Sequence, residues 1–198
     1  LQAQGKFDEA VKSYETAVAL MPANPEAHCG LGTALQDQGN SSAAMARYRT
    51  AISLNPGYAD AHSNLGTLLQ HQGKLDASLT SYRTALSLKP DSAIAHGNVG
   101  FVLQEMGEHD AAIKSLRRAL ALNPDYAIAQ YTLLFTLNYH PDKSAQEIFA
   151  AYREHDERVG VPLRSTWREH ANSRDATRRL KVGYVSPDFR KHAVRHFL

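Results

Sequence analysis

The sequence predicts a mainly all-α protein, an α-α superhelix of stacked helical hairpins, followed by the first strand of an α/β Rossmann-like lobe that is cut off at Leu198. Three observations carry this expectation: a strict internal period, helical spacing of apolar residues within each period, and a change of grammar after residue 140. Shifting the chain by 34 residues superposes Gly5, Gly39, Gly73 and Gly107, and with them Pro22, Pro56, Pro90 and Pro124. Further columns follow in Ala17, Ala51, Ala85 and Ala119, in Leu20, Leu54, Leu88 and Leu122, and in Ala10, Ala44, Ser78 and Ala112.

Each column has a physical cause. The glycine closing LQDQG, LQHQG and LQEMG stands where a helix C-cap requires a residue that tolerates positive φ. A second helix then begins. Over Ser41 to Leu54, Ala44, Tyr48, Ala51 and Leu54 fall three or four apart and mark one face, and Pro56 ends it. In the preceding helix of each unit, Leu31, Leu65 and Val99 adjoin Gly32, Gly66 and Gly100, and small residues beside large ones allow two helices to approach closely. Units of this kind cannot bury their faces alone, so they stack into a solenoid.

The columns resemble the tetratricopeptide repeat over residues 1 to about 140. Leu1 to Gly5 reads as the end of a first helix, so the true N-terminus is expected upstream. The unit starting at Asp125 keeps Leu133 and Leu137 but has Leu134 in the glycine column, and Pro141 arrives in place of a second repeat helix. The expected organisation is therefore 1–140 for the repeats, 141–179 for a helical transition and basic linker, and 180–198 for the start of the α/β lobe.

In such repeats the first helix of each pair lines the concave side, and three columns of it are candidates for a binding surface. They are Gly30, Asn64, Asn98 and Thr132; Thr33, Thr67, Phe101 and Phe135; and Gln36, Gln70, Gln104 and Asn138. An amide offers a donor and an acceptor, so Asn64, Asn98, Gln70 and Gln104 are the expected acceptor-peptide-binding residues, pairing with an extended backbone without reading its sequence. Simple solvation of a helix face is the alternative. His28, His62 and His96 also recur, but residues of one column lie about 8–10 Å apart, whereas metal ligands gather within roughly 2.0–2.3 Å of one ion, so these are expected to pack and no metal site is expected.

Composition narrows the setting. Residues 1–140 hold 10 Lys/Arg against 12 Asp/Glu, residues 141–163 hold 3 against 5, and residues 164–198 hold 9 against 3, so the basic character is local. That field suits an anionic ligand or merely a solvated linker. Nucleic acid is not expected as a partner, because aromatic interleaving is absent. The single Cys29 excludes an internal disulfide and fits a reducing, cytoplasmic setting. No stretch reaches the roughly 20 apolar residues that span a bilayer, so no membrane partner is expected.

Beyond Asp142, Ser144 and Glu147 form a capping-box pattern, with Ile148, Tyr152, His155 and Val159 at helical spacing behind it. An Arg-rich link through Trp167 then runs into Leu180 to Ser186, which has the length and valines of a buried strand. Pro187-Asp188 ends it, and His192 follows where α/β domains place their ligands, beyond the carboxyl end of a strand. A lone loop histidine is more often structural than catalytic. A metal site on Asp188, His192 and His196, four apart, is disfavoured by Pro187 just ahead of them.

RLKVGYVSPDFRKHAVRHFL after such repeats, with LNYHPDKSAQEIFAAYREH between, resembles the O-GlcNAc transferase family, especially its bacterial members. The resemblance implies a GT-B glycosyltransferase moving N-acetylglucosamine from UDP-GlcNAc, its donor substrate, to serine or threonine of acceptor proteins, with inversion and without a metal or other cofactor. It places the histidine of the family's Asp-Phe-x-x-His motif on His192, which would border the reaction centre as the catalytic candidate. Histidine titrates near neutral pH, within the range a base for an acceptor hydroxyl needs. The family's asparagine ladder is kept only at Asn64 and Asn98, and the chain stops before a second lobe, so the segment alone is expected to be inactive. A non-enzymatic repeat scaffold is the alternative.

Overall fold

The computed structural model describes residues 2–166, with side chains from residue 6 onward. It divides into two compact units, Leu1–Pro162 and Leu163–Leu198. Of the second, the described part is Leu163 and a short 3-10 turn, Arg164–Thr166. The expected strand over residues 180–186, the Arg-rich link beyond Thr166 and His192 all lie outside the described residues.

The first unit is a succession of helices: α1 (Gln2–Leu20), α2 (Pro25–Asp37), α3 (Ser41–Leu54), α4 (Ala59–His71), α5 (Leu75–Leu88), α6 (Ala93–Glu105), α7 (His109–Leu122), α8 (Ala127–Asn138) and α9 (Ala145–His155). Three hairpins, α2 with α3, α4 with α5 and α6 with α7, carry its closest helix pairs.

Within a hairpin the turn is a glycine device. Gly39, Gly73 and Gly107 have φ of 90°, 71° and 80°, the region open to glycine and strained for other residues. The next residue's N–H then reaches back to the helix, Asn40 to the Leu35 carbonyl at 2.8 Å, with Lys74 to Leu69 and Glu108 to Leu103 each at 2.9 Å. These bonds satisfy carbonyls that the helix end would leave open. Gly5 departs from the pattern: it lies inside α1.

Between hairpins the break is made by proline and asparagine. The Asn55 side chain accepts the Gly57 N–H at 3.0 Å, and Asn24 caps α2 by accepting from Glu26 N at 2.8 Å and Ala27 N at 3.2 Å. The histidine column belongs to the same joints. Nε2 of His28, His62 and His96 bonds the carbonyl of Pro22, Pro56 and Pro90 at 2.9, 3.0 and 3.0 Å, tying the start of each first helix to the loop before it.

The core follows the sequence columns closely. Ala44, Ala51, Ala112 and Ala119 are all at 0% exposure, and Tyr48, Tyr82 and Leu116 fill the space between them. Leu54, grouped with the buried face by its spacing, is instead 40% exposed, since it is the last residue of α3 and the chain leaves the hairpin there.

Helix α9 is followed by a π-helical turn, Asp156–Gly160, before the unit closes at Pro162. Its capping box forms as the spacing predicts: Glu147 N donates to Ser144 Oγ at 3.2 Å, and Ser144 N donates to Glu147 Oε2 at 2.9 Å. Ile148 and Ala151 then pack on the cluster of Leu133 and Leu137, so α9 covers α8 from a position near the second helix of a repeat. Asn138 Nδ2 donates to the Tyr152 hydroxyl at 2.6 Å, and Arg158 donates to Gln130 Oε1.

Candidate peptide-binding groove

The first helices of successive hairpins touch one another, α2 with α4, α4 with α6 and α6 with α8, and so form one continuous inner row. Their amide columns divide into free and engaged members. Asn64 Nδ2 lies 3.4 Å from both Cys29 Sγ and Thr33 Oγ1 of the preceding repeat, which commits its donor to the stacking of two repeats. Asn98 makes no hydrogen bond among the described residues and lines a cavity of about 490 Å³ between α4 and α6.

The glutamine column divides in the same way. The Tyr48 hydroxyl donates to Gln36 Oε1 at 3.0 Å, and the Tyr82 hydroxyl reaches Gln70 Oε1 at 3.4 Å while Gln70 Nε2 donates to Glu105 Oε2 at 2.7 Å. In the third hairpin Leu116 replaces the tyrosine, so the Gln104 amide has no phenol to hold it. Of the four expected peptide-binding residues, Asn98 and Gln104 thus present free amides, and Asn64 and Gln70 serve partly as struts. Thr132, the last member of the asparagine column, leaves the groove: it is 8% exposed, with its hydroxyl on the Ile128 carbonyl at 2.8 Å.

Two features of the groove are absent from the amide reading. Large apolar side chains stand exposed on its later half, Ile94 and Phe101 on α6 and Ile128, Tyr131 and Phe135 on α8, whereas α2 and α4 show none. The signal was in the columns, where Thr33 and Thr67 give way to Phe101 and Phe135. The second feature is charge. Helices α2, α4, α6 and α8 contain no lysine or arginine, and their acids are Glu26, Asp37, Asp60 and Glu105.

Beneath this surface Cys29 is buried, and desolvation pushes its thiol above the ordinary range, against the lowering effect of the Asn64 bond. Desolvation, with Cys29 and Asp60 nearby, pushes the Tyr58 phenol up to about 12. Both are therefore neutral at ordinary pH and act as packing groups.

The repeat assignment rests on more than geometry. A family profile described as TPR repeat matches residues 1–39 and 34–73, and one described as Tetratricopeptide repeat matches residues 57–125. These are tetratricopeptide repeats. Two solved structures of MamA superpose on the tetratricopeptide-repeat chain: one, a crystal structure, has a TM-score of 0.67 at 22% identity, covering 80% of this chain and 94% of that one. The other, residues 41 to the end of MamA from Desulfovibrio magneticus RS-1, has a TM-score of 0.67 at 20% identity, covering 81% and 88%. A mutant O-GlcNAc transferase from Thermobaculum terrenum superposes with a TM-score of 0.64 at 27% identity over 70% of this chain, and the tetratricopeptide-repeat chain spans 27% of that protein. No curated protein matches in sequence.

Tetratricopeptide repeats support a protein-interaction role. Among the described residues no helix is long and apolar enough to cross a membrane, and no group of three or more His, Cys, Asp or Glu residues is placed to hold a metal ion.

Proposed function

We propose that this chain is the acceptor-presenting arm of a protein O-GlcNAc transferase, holding an extended segment of the acceptor along α2, α4, α6 and α8. The observation that carries this reading is the 27% identity to the Thermobaculum terrenum O-GlcNAc transferase across 70% of the chain. The Asp188-Phe189-x-x-His192 motif adds to it from the sequence side, with His192 proposed to border the reaction centre, and UDP-GlcNAc is the proposed donor. Free amides at Asn98 and Gln104 supply backbone-pairing groups of the kind an extended peptide needs.

The test is sugar transfer by the full-length protein from radiolabelled UDP-GlcNAc to a mixture of acceptor polypeptides. Transfer that is lost in His192→Ala with unchanged folding supports the reading, and absence of transfer from the intact wild-type protein overturns it. A second reading, a repeat module that binds protein without catalysis, is favoured by the MamA likeness, in which nearly the whole of the other chain is covered. That outcome would leave peptide binding intact and transfer absent.

A further inference from the structure

We infer that the cavity between α4 and α6 is a subsite for a cationic side chain, arginine or lysine, of an extended partner peptide; this rests on the reading of the inner row as a peptide groove. The cavity, about 490 Å³, joins two kinds of wall. Phe101 and Ile128, 37% and 62% exposed, supply an apolar face, and Glu105 supplies a carboxylate at the rim. Gln70 Nε2 donates to Glu105 Oε2 at 2.7 Å, which holds the carboxylate in place and leaves Oε1 without a partner among the described residues.

That combination selects a long side chain with an aliphatic stem and a positive head. The stem lies along Phe101 and Ile128, as arginine and lysine bury their methylenes while keeping the charge in contact with polar groups. The head meets Glu105 and the Phe101 ring face, an ion pair and a cation–π contact in one place. Beyond the cavity the four inner helices carry no lysine or arginine, and of their acids Asp60 is already paired with Lys89 Nζ at 2.8 Å, so the local preference for a cation rests on Glu105. An anionic side chain finds no lysine or arginine on these helices, the basic group at the cavity being the imidazole of His71, and a purely apolar one makes no use of the free Glu105 oxygen. Asn98, on the same wall, is placed to hold the peptide backbone beside the anchored residue.

The test is an NMR titration of the isotopically labelled full chain with three Gly-Ser peptides that differ at one central position: arginine, its neutral isostere citrulline, or glutamate. The arginine peptide is expected to bind about fivefold more tightly than the citrulline peptide, with shifts centred on Phe101 and Glu105, and the glutamate peptide more weakly than either. Glu105→Gln keeps an acceptor for Gln70 and is expected to bring the arginine and citrulline peptides to equal affinity. Equal affinities in the wild type, or an arginine preference that survives Glu105→Gln, overturns the anchor alone. If none of the three peptides perturbs the inner helices, the groove reading falls together with it.

Discussion

Tyr48 lies flat against Gly32, so close that a β-carbon at residue 32 would stand 2.6 Å from the ring. The same relation recurs one repeat on, where a β-carbon at Gly66 would stand 2.9 Å from the Tyr82 ring. The tyrosines are 1% exposed and cannot swing aside, so the two helices of a hairpin are held at the separation that glycine alone permits.

Gly32→Ala and Gly66→Ala are therefore expected to destabilise the chain by about 1–3 kcal/mol, the cost of overpacking outweighing the gain of about 1 kcal/mol in helix propensity. Thermal unfolding of the two variants measures this. Gly39→Ala acts by a different route, through its φ of 90°, in a place with no neighbour to collide with. Its Tm is expected to fall too, and Gly39→Asn to recover part of the loss, because asparagine tolerates the left-handed region.

The two groove asparagines should separate in experiment. Asn64→Ala removes the bonds to Cys29 and Thr33 and is expected to cost about 0.5–1.5 kcal/mol of stability. Asn98→Ala, with no internal partner to lose, is expected to stay within about 0.5 kcal/mol of the wild type while weakening peptide binding. Urea denaturation alongside peptide titration checks both. Equal stability losses would mean that Asn98 is also a strut.

Alkaline pH tests the buried acids. Burial raises Cys29 above its ordinary 9.0, and Tyr58 rises from 10.0 to about 12, so the unfolded chain loses these protons first. Their contribution is complete below about pH 9 and is lost as pH rises, for Tyr58 across the window from 10 to about 12. Unfolding midpoints measured from pH 8 upward are expected to decline, and the decline to shrink in Tyr58→Phe. In the native chain at pH 8 Cys29 is expected to react slowly with a disulfide reagent and rapidly once urea is added, since the thiolate is the nucleophile.

Helix α9 offers an acid-side test. Hydrogen bonds from the Ser144 backbone and hydroxyl, with a smaller effect from Lys143, hold the Glu147 carboxyl down to about 2. This support for the helix start is complete above the ordinary carboxylate value of 4.5 and is lost as pH falls through about 2. An NMR titration of Ser144→Ala is expected to show Glu147 returning toward its ordinary value, with the first turn of α9 fraying.

The period, the hairpin and the core were legible from the sequence alone. They rest on local rules that repeat every 34 residues: glycine at positive φ, proline after the second helix, and alanine where helices cross. The tertiary structure decided which groove residues are available. Asn64 and Asn98 occupy the same column and read alike, yet one is tied to a thiol and a threonine 35 and 31 residues earlier, and the other is free. The same holds for Gln70 and Gln104, which differ because tyrosine at residue 82 becomes leucine at residue 116 and because Glu105, which accepts from Gln70, is matched one repeat on by Tyr139. Hydrogen-bond partners across stacked repeats are set by the distances between hairpins, and a column of identical side chains does not encode those distances. Equally, the amide columns carry no sign of the meeting of Phe101 and Glu105 in one cavity, which is produced only when α4 and α6 pack side by side.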